Sequence, residues 1–286
     1  MKKQVQYIVK KVMDGVYALA QGGVCMFLLV GKTHALVFDT GCGMVDPMPQ
    51  LRELTDKPLY VVNSHGHYDH TGGNGFFEGP VYIHEADKLL HDRHNSPQLR
   101  KTALDGLKAM QRILFFLHLV PRELDESAYI HAPLFADFQY VKENDCFDLG
   151  ELTARVVELP GHTRGSIGLL VKEKALLLAS DGICGSTWLF LPESEKLSVY
   201  RQTLRKADEL EFAWLLTGHS DKLFPKAVLK DYIAVAENPD FAGARIQNES
   251  DFAPGVRPRV CKETGNKQKP RKLRNKAQIV ISEDKL

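Results

Sequence analysis

The stretch Val61 to Asn74, V-V-N-S-H-G-H-Y-D-H-T-G-G-N, constrains this chain more than any other. Within six residues it places His65, His67, Asp69 and His70. The apolar, β-branched run Leu59 to Val62 leads into it and glycines follow, which reads as strand, loop, helix. Neutral imidazoles and a carboxylate on one loop at a strand end can converge on a point, and they are donors that Zn²⁺ or a similar divalent ion accepts. A histidine-rich polar turn is the bland alternative. Three further pieces weigh against it: P-G-H-T-R-G-S with His162, A-S-D-G with Asp181, and L-T-G-H-S with His219. Each follows an apolar run, at Val156 to Leu159, Ala175 to Ala179 and Ala213 to Leu216. Each alone is a weak signal, since a lone Gly-His pair is most often a turn.

With H-x-H-x-D-H, the set resembles the metallo-β-lactamase-fold superfamily over roughly residues 5 to 240. The resemblance implies an α/β chain folded as a four-layer αββα sandwich, which also agrees with strands grouped around helices. It implies a metal-dependent hydrolase with two divalent metal ions, Zn²⁺ first, with iron or manganese as alternatives. His65, His67 and His162 would hold one ion, Asp69, His70 and His219 the other, and Asp181 would bridge them. Two ions about 3.5–4 Å apart can hold a hydroxide between them and polarise a carbonyl or phosphoryl oxygen. Their remaining positive charge favours an oxyanion forming between them. This suits cleavage of an ester, lactone, thioester, amide or phosphoester in a small-molecule substrate, with Asp69, the candidate catalytic residue, or a metal-bound water protonating the leaving group.

Departures from subfamily patterns narrow the resemblance. One group of true β-lactamases has cysteine where Asp181 stands, and Cys184 lies three residues too late to replace it. The set is more similar to glyoxalase II, lactonase and phosphodiesterase-type members. Glyoxalase II-like enzymes usually add a helical C-terminal region with basic and aromatic residues, whereas the tail here is basic without aromatics. A mononuclear iron sulfur dioxygenase shares the first ligands and is the alternative enzyme reading. A nucleic-acid phosphodiesterase or binding member using the basic tail is another.

In the N-terminal part, Val16 to Ala20, Cys25 to Val30 and Ala35 to Phe38 read as strands broken at Gly22-Gly23 and Gly31-Lys32. The last ends in Asp39-Thr40-Gly41, either a turn of Asx type or, by the resemblance, a brace behind the metal loop. Pro47 to Leu54 reads as a short helix and Val81 to His84 as a strand. His84, one of six histidines outside the ligand set, is assigned to structure or surface. Between Glu85 and Val120, Ala103, Leu107, Met110, Ile113, Leu114 and Leu117 recur at helical spacing, with Phe115 and Phe116 widening the stripe. It is either core or a lid over the metals with an apolar face for an acyl substrate. Tyr68 either faces the site or packs.

Further on, Asp145 to Leu159 reads as a hairpin around Gly150, and Ile167 to Val171 with Ala175 to Ala179 as another. Glu193 to Leu210 and Ala227 to Val235 read as helices, and Gln278 to Ser282 as a closing strand. Residues 1–240 are expected to form the catalytic domain, with a helical insertion near 85–130, and 241–286 a basic extension.

Composition adds exclusions. The net charge is +1 and 44% of the chain is hydrophobic, so there is core enough and no global pull toward nucleic acid or membrane. Arg257 to Lys276 carries nine basic residues and one acid, giving +8 against −7 for the rest. With no aromatic interleaved for base stacking, the run reads as a solvated segment against an acidic body before it reads as an RNA site. The basic start M-K-K-Q-V-Q lacks the apolar core of a secretory signal. Five cysteines without a C-x-x-C pair fit reduced thiols, and a cytoplasmic location is expected.

Overall fold

The computed structural model describes residues 7–113, 119–265 and 277–286. The chain forms two compact units, one of Met1–Val156 with Gly218–Lys222 and one of Val157–Thr217 with Leu223–Leu286.

The first unit is built on seven strands paired in chain order: β1 (Ile8–Met13), β2 (Val16–Gln21), β3 (Val24–Val30), β4 (Ala35–Phe38), β5 (Leu59–Val62), β6 (Val81–His84) and β7 (Phe138–Val141). The β2–β3 turn is the pair Gly22-Gly23, whose φ values of 66° and 88° suit the tight hairpin turn that matches strand twist. β1 to β4 are antiparallel; β4, β5, β6 and β7 are parallel. The change matters for function. Phe38 pairs with Val62, so the chain leaves β4 and β5 at the same edge, and Asp39 emerges beside the loop that begins at Asn63. Both faces of the sheet are buried: adjacent residues Leu36 and Val37 point opposite ways and neither is exposed. α1 (Met48–Leu54) covers one face with Leu51, against Leu19, Met26, Leu28, Val37 and Val61.

After the metal loop come α2 (Tyr68–Thr71), α3 (Lys88–His94), α4 (Pro97–Ile113) and α5 (Glu126–Ile130). α3 and α4 are separated at Asn95-Ser96, because Pro97 favours a helix start and disfavours helical backbone before it. The apolar stripe also fades along α4. Ala103 and Leu104 are buried, Leu104 with Val24, Cys42, Met44 and Tyr129, but Met110 is 49% and Ile113 79% exposed. Leu114, Phe115, Phe116 and Leu117 lie outside the described residues. No helix among the described residues is long and apolar enough to cross a membrane.

β8 (Cys146–Asp148) and β9 (Thr153–Glu158) form the expected hairpin, and the chain passes from one unit to the other within β9. The six-stranded sheet has the order β14-β13-β11-β10-β9-β8, with β10 (Ile167–Val171), β11 (Leu176–Leu178), β13 (Trp214–Leu216) and β14 (Phe224–Pro225) in the second unit. α6 (Leu197–Glu209) and α7 (Leu229–Glu237) pack on it through Leu197, Tyr200, Leu204, Leu229 and Val235, against Val157, Leu170, Leu177 and Leu215. A four-stranded sheet, β12-β17-β16-β15, completes the unit, from β12 (Ser186–Leu189), β15 (Arg245–Ile246), β16 (Arg259–Cys261) and β17 (Gln278–Ile281). The closing strand thus pairs on both sides, parallel to β12 and antiparallel to β16. Arg259 sits in a strand with its guanidinium on Glu283; Lys267, Lys269, Arg271, Lys272, Arg274 and Lys276 lie outside the described residues.

Candidate metal centre

In the first unit the loop Asn63–His70 is held from behind by Asp39. This residue adopts a left-handed backbone, φ 66°, which aspartate tolerates better than most side chains. Its Oδ1 accepts from the Ser64 amide at 2.7 Å, and Oδ2 accepts from the Ser64 hydroxyl at 2.9 Å and pairs with His70 Nδ1 at 2.8 Å. Asn63 and Thr40 each donate to the His70 carbonyl, at 3.2 Å from both side chains, and both reach Asn74. The side chains of the turn thus satisfy one another and its backbone, and the Asp39 carboxylate is a brace for the loop.

The loop brings four of its donors together. His65 Nε2 and His67 Nδ1 lie 3.0 Å apart, and the His65 and His70 rings are 4.2 Å apart at their centroids. Asp69 Oδ2 is 3.6 Å from His70 Nε2 and 3.7 Å from His219 Nε2, and these three residues have donor atoms close enough to share one cation. His219 comes from far along the sequence; its Nδ1 is 2.9 Å from the Gly23 carbonyl, in the β2–β3 turn.

In the second unit, His162 and Asp181 come from two strand ends. His162 Nε2 is 3.8 Å from Asp181 Oδ2, and His162 Nδ1 is 3.0 Å from the Trp188 carbonyl. Ser194 donates to the His162 carbonyl at 2.8 Å. Asp181 follows Ser180, which is left-handed at φ 46°, so the chain turns sharply out of β11 to present it.

One arrangement recurs in three histidines. His70, His162 and His219 each put Nδ1 on an oxygen (a carboxylate or a backbone carbonyl) and turn Nε2 toward an aspartate. An oxygen on Nδ1 fixes the tautomer, with the proton on Nδ1 and the lone pair on Nε2, as in metal-ligating histidines. Imidazoles beside carboxylates in this tautomer fit a divalent cation.

Some side chains near the loop resolve differently from their sequence alternatives. Tyr68 packs against Met44, Leu104 and Tyr129, and burial, then Asp69, raises its hydroxyl well above the usual phenol range. Burial, then Asp181, pushes the Cys184 thiol up to about 12. Sequence reasoning missed His91 and His94. Both lie on α3 among the six histidines left outside the ligand set, yet His94 stacks on His67 with ring centroids 4.5 Å apart. The i, i+3 spacing puts both on one helix face, but nothing local says that this face meets the metal loop. A cavity of about 430 Å³ also lies in this unit, walled by Met44, Phe76, Leu124 and Tyr129 among others; none of the candidate ligands lines it.

Comparison with known proteins gives a consistent result. The acyl-coenzyme A thioesterase MBLAC2 of Homo sapiens is 27% identical over 206 residues, 65% of this chain and 67% of that protein. Its counterpart in Gallus gallus is 28% identical over 59% of this chain. The match spans 61% of that relative's length. A hydroxyacylglutathione hydrolase of Rhodospirillum rubrum is 24% identical over 49% of this chain and 42% of its own. Among solved structures, an archaeal metallo-beta-lactamase superfamily protein from Sulfolobus tokodaii shares the fold at TM-score 0.54 and 17% identity, covering 84% of this chain and 91% of that one. A metallo-beta-lactamase from Pontibacter korlensis shares it at TM-score 0.56 and 14% identity, covering 82% and 100%. The sequence model of the metallo-beta-lactamase superfamily matches residues 20–219, well over half of the chain, and the chain therefore belongs to that superfamily of hydrolases.

Proposed function

We propose that this chain is a thioester hydrolase with two divalent ions, zinc being the simplest choice. His65, His67 and His162 would hold one ion, Asp69, His70 and His219 the other, with Asp181 shared between them. The observation that carries this reading is the common posture of His70, His162 and His219, each with Nδ1 on an oxygen and Nε2 toward an aspartate. When bound, such ions polarise an acyl carbonyl and lower the pKa of water.

The rest of the work falls to the protein. Asp39 holds His70, the Gly23 carbonyl holds His219 and the Trp188 carbonyl holds His162, so the ligand rings need no reorganisation as the acyl group reacts. Asp69 lies between His70 and His219 with its side chain 19% exposed, and it is the group that would carry a proton to the departing atom. A thiol, with a pKa near 8.5, leaves as its anion and so asks less of Asp69 as an acid than an alcohol or amine would. Tyr68 is packed away in the apolar cluster and does not serve as that acid. The thioester class is supported further by the similarity to acyl-coenzyme A thioesterases.

The test is a substrate panel on the zinc-reconstituted protein: acyl thioesters, matched oxygen esters, lactones and a phosphodiester. Thioesters turned over at least tenfold faster than their oxygen esters, with activity abolished by chelation, is the expected result. Turnover of none of them, with oxygen uptake by the iron form on a persulfide, would replace the hydrolase reading with the dioxygenase one.

A further inference from the structure

The metal loop has a second brace, on the side away from Asp39. It is the segment Asp87–Asn95, which consists of α3 and the residues at its two ends. Asp87 is 1% exposed, and its Oδ2 accepts from the Gly66 amide at 2.9 Å. Gly66 is the residue between His65 and His67. A β-carbon there would lie 2.6 Å from the Asp87 carbonyl oxygen and 2.8 Å from the His91 amide nitrogen, so loop and helix are in backbone contact. One helical turn on, the His94 ring lies over the His67 ring at 4.5 Å between centroids and 23° between planes, and His94 is 3% exposed. Next to it, Asn95 Nδ2 donates to Thr71 Oγ1 at 2.7 Å, and Thr71 Oγ1 donates to the His67 carbonyl at 2.9 Å. Arg100 in turn donates to Asn95 Oδ1 at 3.2 Å.

All three contacts converge on His67: its preceding amide, its ring and its carbonyl. His67 needs such help. It stands at the N-cap of α2 in extended backbone, φ −69° and ψ 150°, and α2 is only four residues long. A single turn of helix contributes little order of its own. Asp39 serves the two ends of the loop, at Ser64 and His70.

We propose that Asp87, His94 and Asn95 are positioning residues that fix His67 as a metal ligand, with His94 acting through the stacked face of its ring. This rests on the dinuclear reading above. Removing a partner that orients a metal ligand typically costs 10–100-fold in metal affinity.

The experiment titrates cobalt(II) into chelator-stripped full-length protein, in competition with a chromophoric chelator, for wild type, His94→Ala, His94→Phe, Asp87→Ala and Asp87→Asn. Melting of each stripped protein is measured alongside. The expected result is a dissociation constant for the weaker-held ion raised about 10–100-fold in His94→Ala and Asp87→Ala. His94→Phe keeps the stack and should stay within about threefold of wild type. Asp87→Asn keeps an acceptor oxygen for Gly66 and should fall between. Cobalt affinity of His94→Ala equal to wild type would overturn the proposal. So would His94→Phe binding as weakly as His94→Ala, because the nitrogens would then be what matters. If Asp87→Ala melts below the assay temperature, the His94 pair and Asp87→Asn still decide. Wild type that binds no cobalt would remove the metal reading itself, and the clamp with it; weakened binding confined to the variants bears on the clamp alone.

Discussion

In the first unit His70 takes its orientation from the Asp39 carboxylate, and His67 from the Asp87–Asn95 segment. In the second, His162 takes its orientation from the carbonyl of Trp188, and Asp181 is presented by a left-handed Ser180. The first unit braces its donors mostly with side chains, the Gly23 carbonyl on His219 aside, and the second orients the His162 ring with a backbone carbonyl, Ser194 adding a side-chain bond to the His162 carbonyl. Side-chain braces are exposed to single substitutions. Backbone braces survive them unless the path of the chain itself is forced to change. The two regions should therefore fail in different ways.

The largest effect is expected from Asp39→Ala. It removes a fully buried carboxylate that holds the Ser64 amide, the Ser64 hydroxyl and His70 at once. Breaking a buried, hydrogen-bonded pair of this kind costs about 3–5 kcal/mol. Urea denaturation should show that loss, with hydrolysis down by roughly 100-fold or more. A variant within about 1 kcal/mol of wild type would mean that the loop is braced elsewhere.

Acid should act next, and on the first unit. Burial lowers the His91 pKa from 6.5 to about 4, outweighing its hydrogen bond to Asp92. The unfolded chain thus binds a proton that the folded one refuses between roughly pH 6.5 and 4, so stability falls as pH falls through that window. From pH 7 to pH 5 the loss from this one group is about 2 kcal/mol. His91→Phe should flatten the profile by that amount in urea unfolding at the two pH values; an unchanged slope would assign the acid sensitivity to other groups.

Glycine substitutions sharpen the comparison, because both regions have one against a close neighbour. A methyl at Gly66 meets the Asp87 carbonyl at 2.6 Å, and one at Gly161 meets the Tyr200 ring at 2.6 Å. Overpacking of this kind costs about 1–3 kcal/mol. Gly66→Ala should cost more of that range, since backbone cannot swing aside and a ring can shift. Thermal melting of the two variants, in the reverse order, would contradict this.

The smallest effect is expected at Trp188. The residue is 37% exposed and packs on Phe190, and its carbonyl reaches His162. Trp188→Phe keeps that carbonyl and should change stability by no more than about 0.5 kcal/mol. A metal affinity lowered roughly tenfold would show that the side chain, and not the carbonyl, sets His162.

The same contrast explains which features are legible in the amino-acid sequence. H-x-H-x-D-H is legible because its donors are neighbours along the chain, and an apolar strand announces the loop. β2, β3, β4, β6, the β8–β9 hairpin and α6 are legible for a similar reason, since each has its own period and turn signals. His94 is not. Its meaning depends on where α3 lies against Gly66 and His67, a tertiary fact with no local signature. The stripe of α4 is a different case: helical spacing puts Met110 and Ile113 on one face, and both are exposed, because periodicity reports a face and not what covers it. The carbonyls of Gly23 and Trp188, which orient two histidines, belong to every residue type and leave no trace in a sequence.

The proposal assigns His65, His67, Asp69, His70, His162, Asp181 and His219 to one pair of ions. Metal content per chain, by elemental analysis of purified wild type and Asp181→Ala, tests it most directly. Asp181 is the carboxylate assigned to both ions, and the account predicts two per chain in wild type and one in Asp181→Ala with an unchanged fold. Two ions retained by Asp181→Ala with full hydrolysis, or none in a wild type that remains active, would contradict it.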